Sequence, residues 1–147
     1  MERLELFGWV VDVDVAETAA YYVRHTQCTC TYCQNLIASM ECWPPEIREA
    51  LSRLGVDLRS EGEIMEFGRD RDGMHLYRVG CPVVGRLIAE PASSPSSWSG
   101  GNYEFWFSTD PHEYPAYSDL PAPVVFACIT ARVPWLLKEP PEGTAKR

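Results

Sequence analysis

The chain has 147 residues, of which 46% are hydrophobic, and its formal net charge is −8. This length and composition suit one globular domain with an ordinary core and exclude a disordered protein. The negative charge repels phosphate groups and no apolar run could cross a bilayer, so we expect a protein or small-molecule partner, with no nucleic acid and no membrane.

The N-terminal part of the chain predicts one strand and then a helix. Residues Leu4–Val13 carry β-branched and aromatic side chains on both faces, which indicates a central strand. Asp14, followed three residues later by Glu17, has the form of a capping box. A helix is therefore expected from Val15 to about Arg24.

A second helix is predicted from Cys30 onward, because apolar positions recur there with helical spacing. These positions are Cys30, Cys33, Leu36, Ile37 and Met40. We expect this stripe to pack inward, with Cys30, Cys33, Ile37 and Met40 largely inaccessible. Pro44 and Pro45 should close this helix and open a third, and Gly55 suits the left-handed position that ends it.

The rest of the chain changes to the two-residue period of β-strands. Strands are expected at Glu63–Arg69, Met74–Ala89, Tyr103–Thr109 and Val124–Val133. The step Gly80–Cys81–Pro82 should break or bulge the long strand. The predicted fold is α+β, with an N-terminal strand, two or three helices and then a mostly antiparallel β-sheet. Residues 1–138 form a single domain in this interpretation, and residues 139–147 form a flexible C-terminal tail.

Residues 25–35, HTQCTCTYCQN, are the strongest chemical signal in the chain. Cys28, Cys30 and Cys33 offer three sulfur ligands, and His25 offers a local fourth, for a metal such as zinc. The second ligand pair of a zinc finger or zinc ribbon is absent from the sequence, so a more distant fourth ligand is the alternative. The candidates for that role are Cys42, Cys81, Cys128, His75 and His112.

Two other interpretations of the cysteines stay open. Small buried thiols often serve as core residues, which suits Cys30 and Cys33 on the predicted stripe, and we rank this ahead of a metal site. Thiol chemistry ranks third. Cys30 and Cys33 form a C-x2-C pair at a predicted helix start, and His25 lies near Cys28, as a redox centre or a nucleophile requires. The first residues carry no export signal, so we expect reduced thiols in the cytoplasm.

Part of this segment resembles a group of small uncharacterised bacterial proteins. The resemblance rests on the pattern Y-x2-H-x2-C-x-C-x2-C-x-N, formed by Tyr22, His25, Cys28, Cys30, Cys33 and Asn35. The segment VPWLL at residues 133–137 is also similar to the C-terminal segment of that group. The resemblance implies a domain of unknown function, with no assigned activity to carry over.

The loops offer weaker candidates. Asp110, His112 and Glu113 could gather as metal ligands, although a solvated loop is the commoner outcome. A rim of loop aromatics could contact a partner, and its members are Trp98, Tyr103, Tyr114 and Tyr117. Since the sequence has no complete catalytic set, we expect a non-catalytic binding or interaction module with a structural cysteine-rich helix. The alternative is a zinc-binding or thiol-based protein that uses the cysteine cluster.

Overall fold

The computed structural model describes residues 1–60, 63–92, 98–99, 101–110 and 120–141. Its helices are α1 (Val15–Arg24), α2 (Thr31–Ser39) and α3 (Pro45–Leu54), with a short 3-10 turn at Met40–Cys42. Its strands are β1 (Glu2–Leu6), β2 (Trp9–Val13), β3 (Glu63–Arg69), β4 (His75–Ala89), β5 (Trp98–Ser99), β6 (Tyr103–Ser108) and β7 (Val124–Val133). The strand pairs of these described ranges are antiparallel, and the predicted α+β fold is confirmed.

The N-terminal segment is a hairpin, and the single strand predicted over Leu4–Val13 is wrong. β1 and β2 pair along their full length. The turn between them consists of Phe7 and Gly8, whose φ angles of 54° and 87° give the left-handed geometry of a two-residue hairpin turn. Two-residue hairpin turns usually have the sequence Asn-Gly or Asp-Gly, and phenylalanine is rare in them. The sequence Phe7-Gly8 therefore does not predict a turn. The Phe7 ring instead packs edge-on against Phe105, with centroids 5.1 Å apart, and this contact holds the turn.

Strand β4 is the centre of the sheet, and the break predicted at Gly80–Pro82 is wrong. β7 pairs with ten residues of β4 without a register shift. Two further strands each pair with one part of β4. β3 pairs with the residues of β4 up to Gly80, and β2 pairs with those from Gly85 onward. Pro82 has no N–H to donate and lies between these two pairings, where its carbonyl accepts a hydrogen bond from the Tyr22 hydroxyl at 2.9 Å.

The three helices cover one face of this sheet. One core cluster joins buried side chains of the helices to buried side chains of the strands, and its largest members include Leu36, Trp43, Ile47, Tyr77 and Ile129. Along β7 the residues of this core alternate with Phe126 and Cys128, which point to the opposite face. Met65 and Trp106 pack over that second, smaller cluster.

The predicted helix ends are confirmed by their hydrogen bonds. Asp14 is the N-cap of α1, and its carboxylate accepts the N–H of Glu17 at 3.0 Å. Gly55 follows α3 with a φ of 86°, and its N–H reaches back to the carbonyl of Leu51. A side chain at Gly55 would also collide with the carbonyl of Val15, since a Cβ there would lie 2.7 Å from that oxygen. Glycine therefore lets the end of α3 approach the start of α1.

Candidate metal centre

The three clustered cysteines meet at the N-terminus of α2. Cys30 is the N-cap residue of α2, and its Sγ accepts the N–H of Cys33 at 3.4 Å, a role that a serine or aspartate oxygen usually plays. The N–H of Cys30 in turn donates to the Sγ of Cys28 at 3.4 Å. The Sγ atoms of Cys28, Cys30 and Cys33 all lie within 4.8 Å of one another. The spacing C-x-C-x2-C, placed across the start of a helix, thus brings three thiols to one point.

Two glutamine side chains hold the loop that carries Cys28. The Gln27 side chain is buried, donates to the carbonyl of Leu58 at 3.0 Å and accepts the N–H of Cys28 at 2.9 Å. The Gln34 side chain donates to the carbonyl of Cys28 at 2.9 Å. Neither residue is predictable from the sequence, because a glutamine that fixes a loop follows no characteristic spacing. The loop is thereby tied both to α2 and to the segment after α3.

The three thiols differ in their exposure to solvent. Cys28 is exposed, Cys30 is half-buried, and Cys33 is only 7% exposed. Burial, and then the proximity of Cys30 and Cys28, raise the pKa of the Cys33 thiol. Cys33 is therefore a protonated thiol at neutral pH, and a metal ion that binds it must displace the proton.

The buried stripe of α2 differs from the predicted one. Cys33 and Met40 are buried as expected, but Cys30 and Ile37 are only half-buried. The buried positions of the helix itself are Cys33, Asn35, Leu36 and Ser39. The prediction failed because it treated the inward face as apolar throughout, whereas a polar residue, Asn35, occupies part of it.

The candidate fourth ligands do not join the three thiols in the part of the chain that the structure describes. His25 follows α1, and its ring lies on the ring of Tyr21 with centroids 4.1 Å apart. Cys42 lies beyond the other end of α2, and a helix of nine residues separates the two ends by about 13 Å. Three other candidates are buried in strands, namely Cys81 and His75 in β4 and Cys128 in β7. His112 falls outside the described residues. The group with ligand atoms within 4.8 Å comprises the three thiols.

Asn35 connects the cysteine helix to the end of the described chain. It is fully buried, its amide nitrogen donates to the carbonyl of Pro134 at 3.1 Å, and its amide oxygen accepts the N–H of Leu136 at 2.6 Å. The hydroxyl of Tyr77, on β4, donates to the carbonyl of Tyr32 at 2.9 Å. These bonds fix the first turn of α2 between the sheet and the segment that follows β7.

An aromatic group lies beside the same helix turn. The Tyr32 ring, between Cys30 and Cys33 in sequence, meets the Trp135 ring edge-on with centroids 5.8 Å apart. On its other side Trp135 lies 5.1 Å from the ring of His75, and Nδ1 of His75 lies 2.7 Å from a Glu66 carboxylate oxygen. No pattern in the sequence predicts that residues 133–137 lie beside the cysteines.

Raising the pH above 10 should destabilise the fold through Tyr77. Burial, and to a smaller degree the charge of Glu66, raise the pKa of Tyr77 to about 12. The unfolded chain ionises at the ordinary tyrosine pKa of about 10, so between pH 10 and 12 only the unfolded state loses the proton, and the free energy of unfolding falls. The expected loss by pH 12 is about 2–3 kcal/mol, measured from urea unfolding midpoints across this pH range.

The control for this prediction is Tyr77→Phe. This variant should be less stable at neutral pH, because it lacks the hydroxyl that donates to Tyr32. Its stability should nevertheless decline less steeply than that of the wild type between pH 10 and 12. Parallel declines in the two proteins would assign the alkaline loss to another group.

The three thiols are positioned to hold a metal ion. Zinc–sulfur bonds of about 2.3 Å in a tetrahedron place the sulfur atoms about 3.8 Å apart. Since the thiols already lie within 4.8 Å of one another, an ion needs only a small closure of the group. All six cysteines of the chain are thiols in the structure, and no disulfide competes for the cluster among the described residues.

Two of the residues predicted to form loop sites, Asp110 and Tyr103, are among the described residues. The Tyr103 ring packs on Trp43 with centroids 6.0 Å apart. His112, Glu113, Tyr114 and Tyr117 lie outside the described residues.

The comparisons give no relative that could assign a role to the site. No protein-family model matches the chain, and no curated protein and no solved structure matches it. Among the described helices, none has the length and apolar character needed to cross a membrane.

Proposed function

We propose that this chain is a zinc-binding protein in which Cys28, Cys30 and Cys33 supply three thiolate ligands. The observation that carries the proposal is the mutual distance of the three Sγ atoms, at most 4.8 Å. Zinc suits such a site because it is a borderline-soft ion that binds cysteine sulfur readily and imposes no geometry from its d electrons. His25 was predicted as the fourth ligand, but its ring stacks on Tyr21, so the proposal rests on the cysteines alone.

Core packing explains the cluster less well than a metal does. A cysteine that serves only as a small apolar residue should be buried, and Cys33 meets this condition. Cys28 is exposed and Cys30 is half-buried, so two of the three sulfurs contribute little apolar burial. Backbone N–H groups also donate to both of these sulfurs, which fixes their positions at the start of α2.

Cobalt titration of two cysteine variants tests the proposal. Co²⁺ replaces zinc in thiolate sites, and its sulfur charge-transfer absorption reports the ligands directly. The wild-type protein should bind one Co²⁺ with this absorption, and zinc should displace it. Cys28→Ser should weaken Co²⁺ binding by about 100-fold or more, because loss of a ligand costs at least as much as loss of a group that supports one.

Cys42→Ser is the matched control, since Cys42 is also exposed but lies outside the cluster. In dilute protein, where each chain binds the ion alone, this variant should bind Co²⁺ as the wild type does. Equal affinities of Cys28→Ser and Cys42→Ser, or a wild-type protein that binds neither Co²⁺ nor zinc, would refute the zinc site.

The interaction module predicted from the sequence is the second candidate function. Two neighbouring apolar side chains of the β3–β4 hairpin favour it, because Phe67 is 60% exposed and Leu76 is 39% exposed. Phe67→Asp separates the two functions. It should abolish binding of a partner that contacts the hairpin, whereas Co²⁺ binding at the cysteines should be unchanged.

A further inference from the structure

The three-thiol cluster is open to solvent on one side. Cys33 forms its buried base, and Cys28 forms its exposed rim. Thr29, the next residue along the chain, is also exposed, as is Thr26, whereas Gln27 between Thr26 and Cys28 is buried. Within the described ranges, no histidine, aspartate, glutamate or further cysteine brings a ligand atom into the group. The described residues therefore supply three ligands around a point that faces water.

We infer that the ion bound by these cysteines keeps one exchangeable coordination position beside Cys28, and that this position takes a thiol from outside the chain. The inference rests on the proposed zinc site and adds the class of ligand that the site receives. Zinc sites with three protein ligands hold water in the fourth position and exchange it for another donor, whereas structural zinc sites close all four positions with protein.

The three sulfur ligands determine which outside donor is preferred. Thiolates donate electron density to the ion and make it softer, so that a fourth sulfur donor suits it better than a carboxylate or a phosphate. The net charge of −8 also disfavours highly charged anions such as phosphates near the site. A monothiol enters as the neutral S–H form, forms a sulfur–metal bond and releases its proton to solvent, while the bound water leaves. No electron is transferred in this exchange.

The loop that carries Cys28 borders this coordination position, and side-chain hydrogen bonds hold the loop to the rest of the fold. Gln27 is anchored to Leu58, and Gln34 is anchored to Cys28, so the rim does not need to rearrange to admit a ligand. His25 would have to leave the ring of Tyr21 to take the same position. The geometry thus favours a donor that arrives from solvent over one supplied by the preceding helix.

A titration of the Co²⁺-loaded protein with 2-mercaptoethanol tests the inference. A change from three to four thiolates should raise the sulfur-to-cobalt charge-transfer absorption by about one third, since this absorption scales with the number of cobalt–sulfur bonds. The rise should saturate at one thiol per cobalt, with the cobalt still on the protein after desalting. An unchanged spectrum, or loss of the cobalt to the added thiol, would overturn the inference but leave the zinc site standing.

The variant His25→Ala identifies what fills the fourth position before thiol is added. In His25→Ala the Co²⁺ spectrum should match that of the wild type. A shift to a weaker ligand field in this variant would mean that His25 closes the site, which would overturn the inference. Failure of the wild-type protein to bind Co²⁺ at all is the separate outcome that removes the proposed function itself.

The thiol could also come from a second copy of this chain, where Cys42 is exposed. In that case the four-thiolate spectrum should develop with rising protein concentration in the absence of added thiol, and Cys42→Ser should abolish it. A small-molecule thiol as the donor predicts a spectrum that is independent of protein concentration and the same in Cys42→Ser. Either result supports an exchangeable position and names the source of its ligand.

Discussion

Leu36→Ala should lower the free energy of unfolding by about 3 kcal/mol, within the usual range of about 2–5 kcal/mol for a leucine removed from a close-packed core. Leu36 is fully buried in the middle of α2, and it belongs to the core cluster that joins the helices to the sheet. The loss combines the transfer free energy of the deleted carbons with the cost of a cavity that rigid neighbours cannot fill. Urea unfolding, followed by circular dichroism, gives the value directly.

The neighbouring residue is the control for this prediction. Ile37 is only half-buried, so Ile37→Ala should cost about 1 kcal/mol, which reflects partial burial and no enclosed cavity. The pattern of apolar residues in the sequence places both side chains on the same stripe, whereas the structure turns only Leu36 fully inward. A larger loss for Ile37→Ala than for Leu36→Ala would show that α2 is rotated relative to the sheet.

Asn35→Ala should also destabilise the fold by about 3 kcal/mol, although it deletes no apolar group. Asn35 itself is fully buried, and removal of its amide leaves the carbonyl of Pro134 and the N–H of Leu136 without their side-chain partner in a partly buried setting. A buried group that loses its hydrogen bond costs about 1–3 kcal/mol, and these two partly buried groups together account for about 3 kcal/mol. Hydrogen exchange should locate the damage, because the amide of Leu136 should exchange faster in this variant than in the wild type.

Asn35→Asp tests whether the hydrogen bonds or merely the volume of the side chain matter. Aspartate has nearly the same shape and can still accept from Leu136, but it cannot donate to Pro134 as an ionised carboxylate. It should therefore be no more stable than Asn35→Ala at neutral pH. The exposed Asn102, whose amide accepts from Arg132 at 3.1 Å, provides a matched control, and Asn102→Ala should cost less than about 1 kcal/mol. Full stability of Asn35→Asp would mean that the amide has no such role.

The sequence predicted the order of elements well where local chemistry determines them. The cap at Asp14, the proline at the start of α3 and Gly55 at its end each act within one helical turn, and each lies where it was expected. The strands of the second half also follow from their two-residue period, with bounds that shift by at most one residue. Such features need no knowledge of distant contacts.

The errors arise where a distant contact decides the local structure. The turn at Phe7 depends on the ring of Phe105, nearly a hundred residues further along the chain. The continuity of β4 through Pro82 depends on its pairing with β7, and the Tyr22 hydroxyl bonds the Pro82 carbonyl at the position between the β3 and β2 pairings. Neither contact follows from the hydrophobic periodicity of the sequence, so the predictions merged two strands into one at the N-terminus and placed a break in β4.

The candidate site was predicted in part. The spacing of Cys28, Cys30 and Cys33 was enough to predict that their sulfurs could meet, and the structure brings them together. What surrounds them could not be predicted, because Asn35 and Trp135 reach the site through bonds that span about a hundred residues. The segment around the cysteines and residues 133–137 are thus adjacent in space.

The position of β7 has a consequence for synthesis of the chain. β7 is the last of the described strands to be made, yet it lies inside the sheet, paired with β4 on one side and β6 on the other. Before β7 leaves the ribosome, β4 and β6 have no strand between them, and Asn35 lacks its hydrogen-bond partners at Pro134 and Leu136. The nascent chain can form its helices and early hairpins, but the domain closes only after β7 has emerged. Until then the unpaired side of β4 is available to chaperones and to other nascent chains.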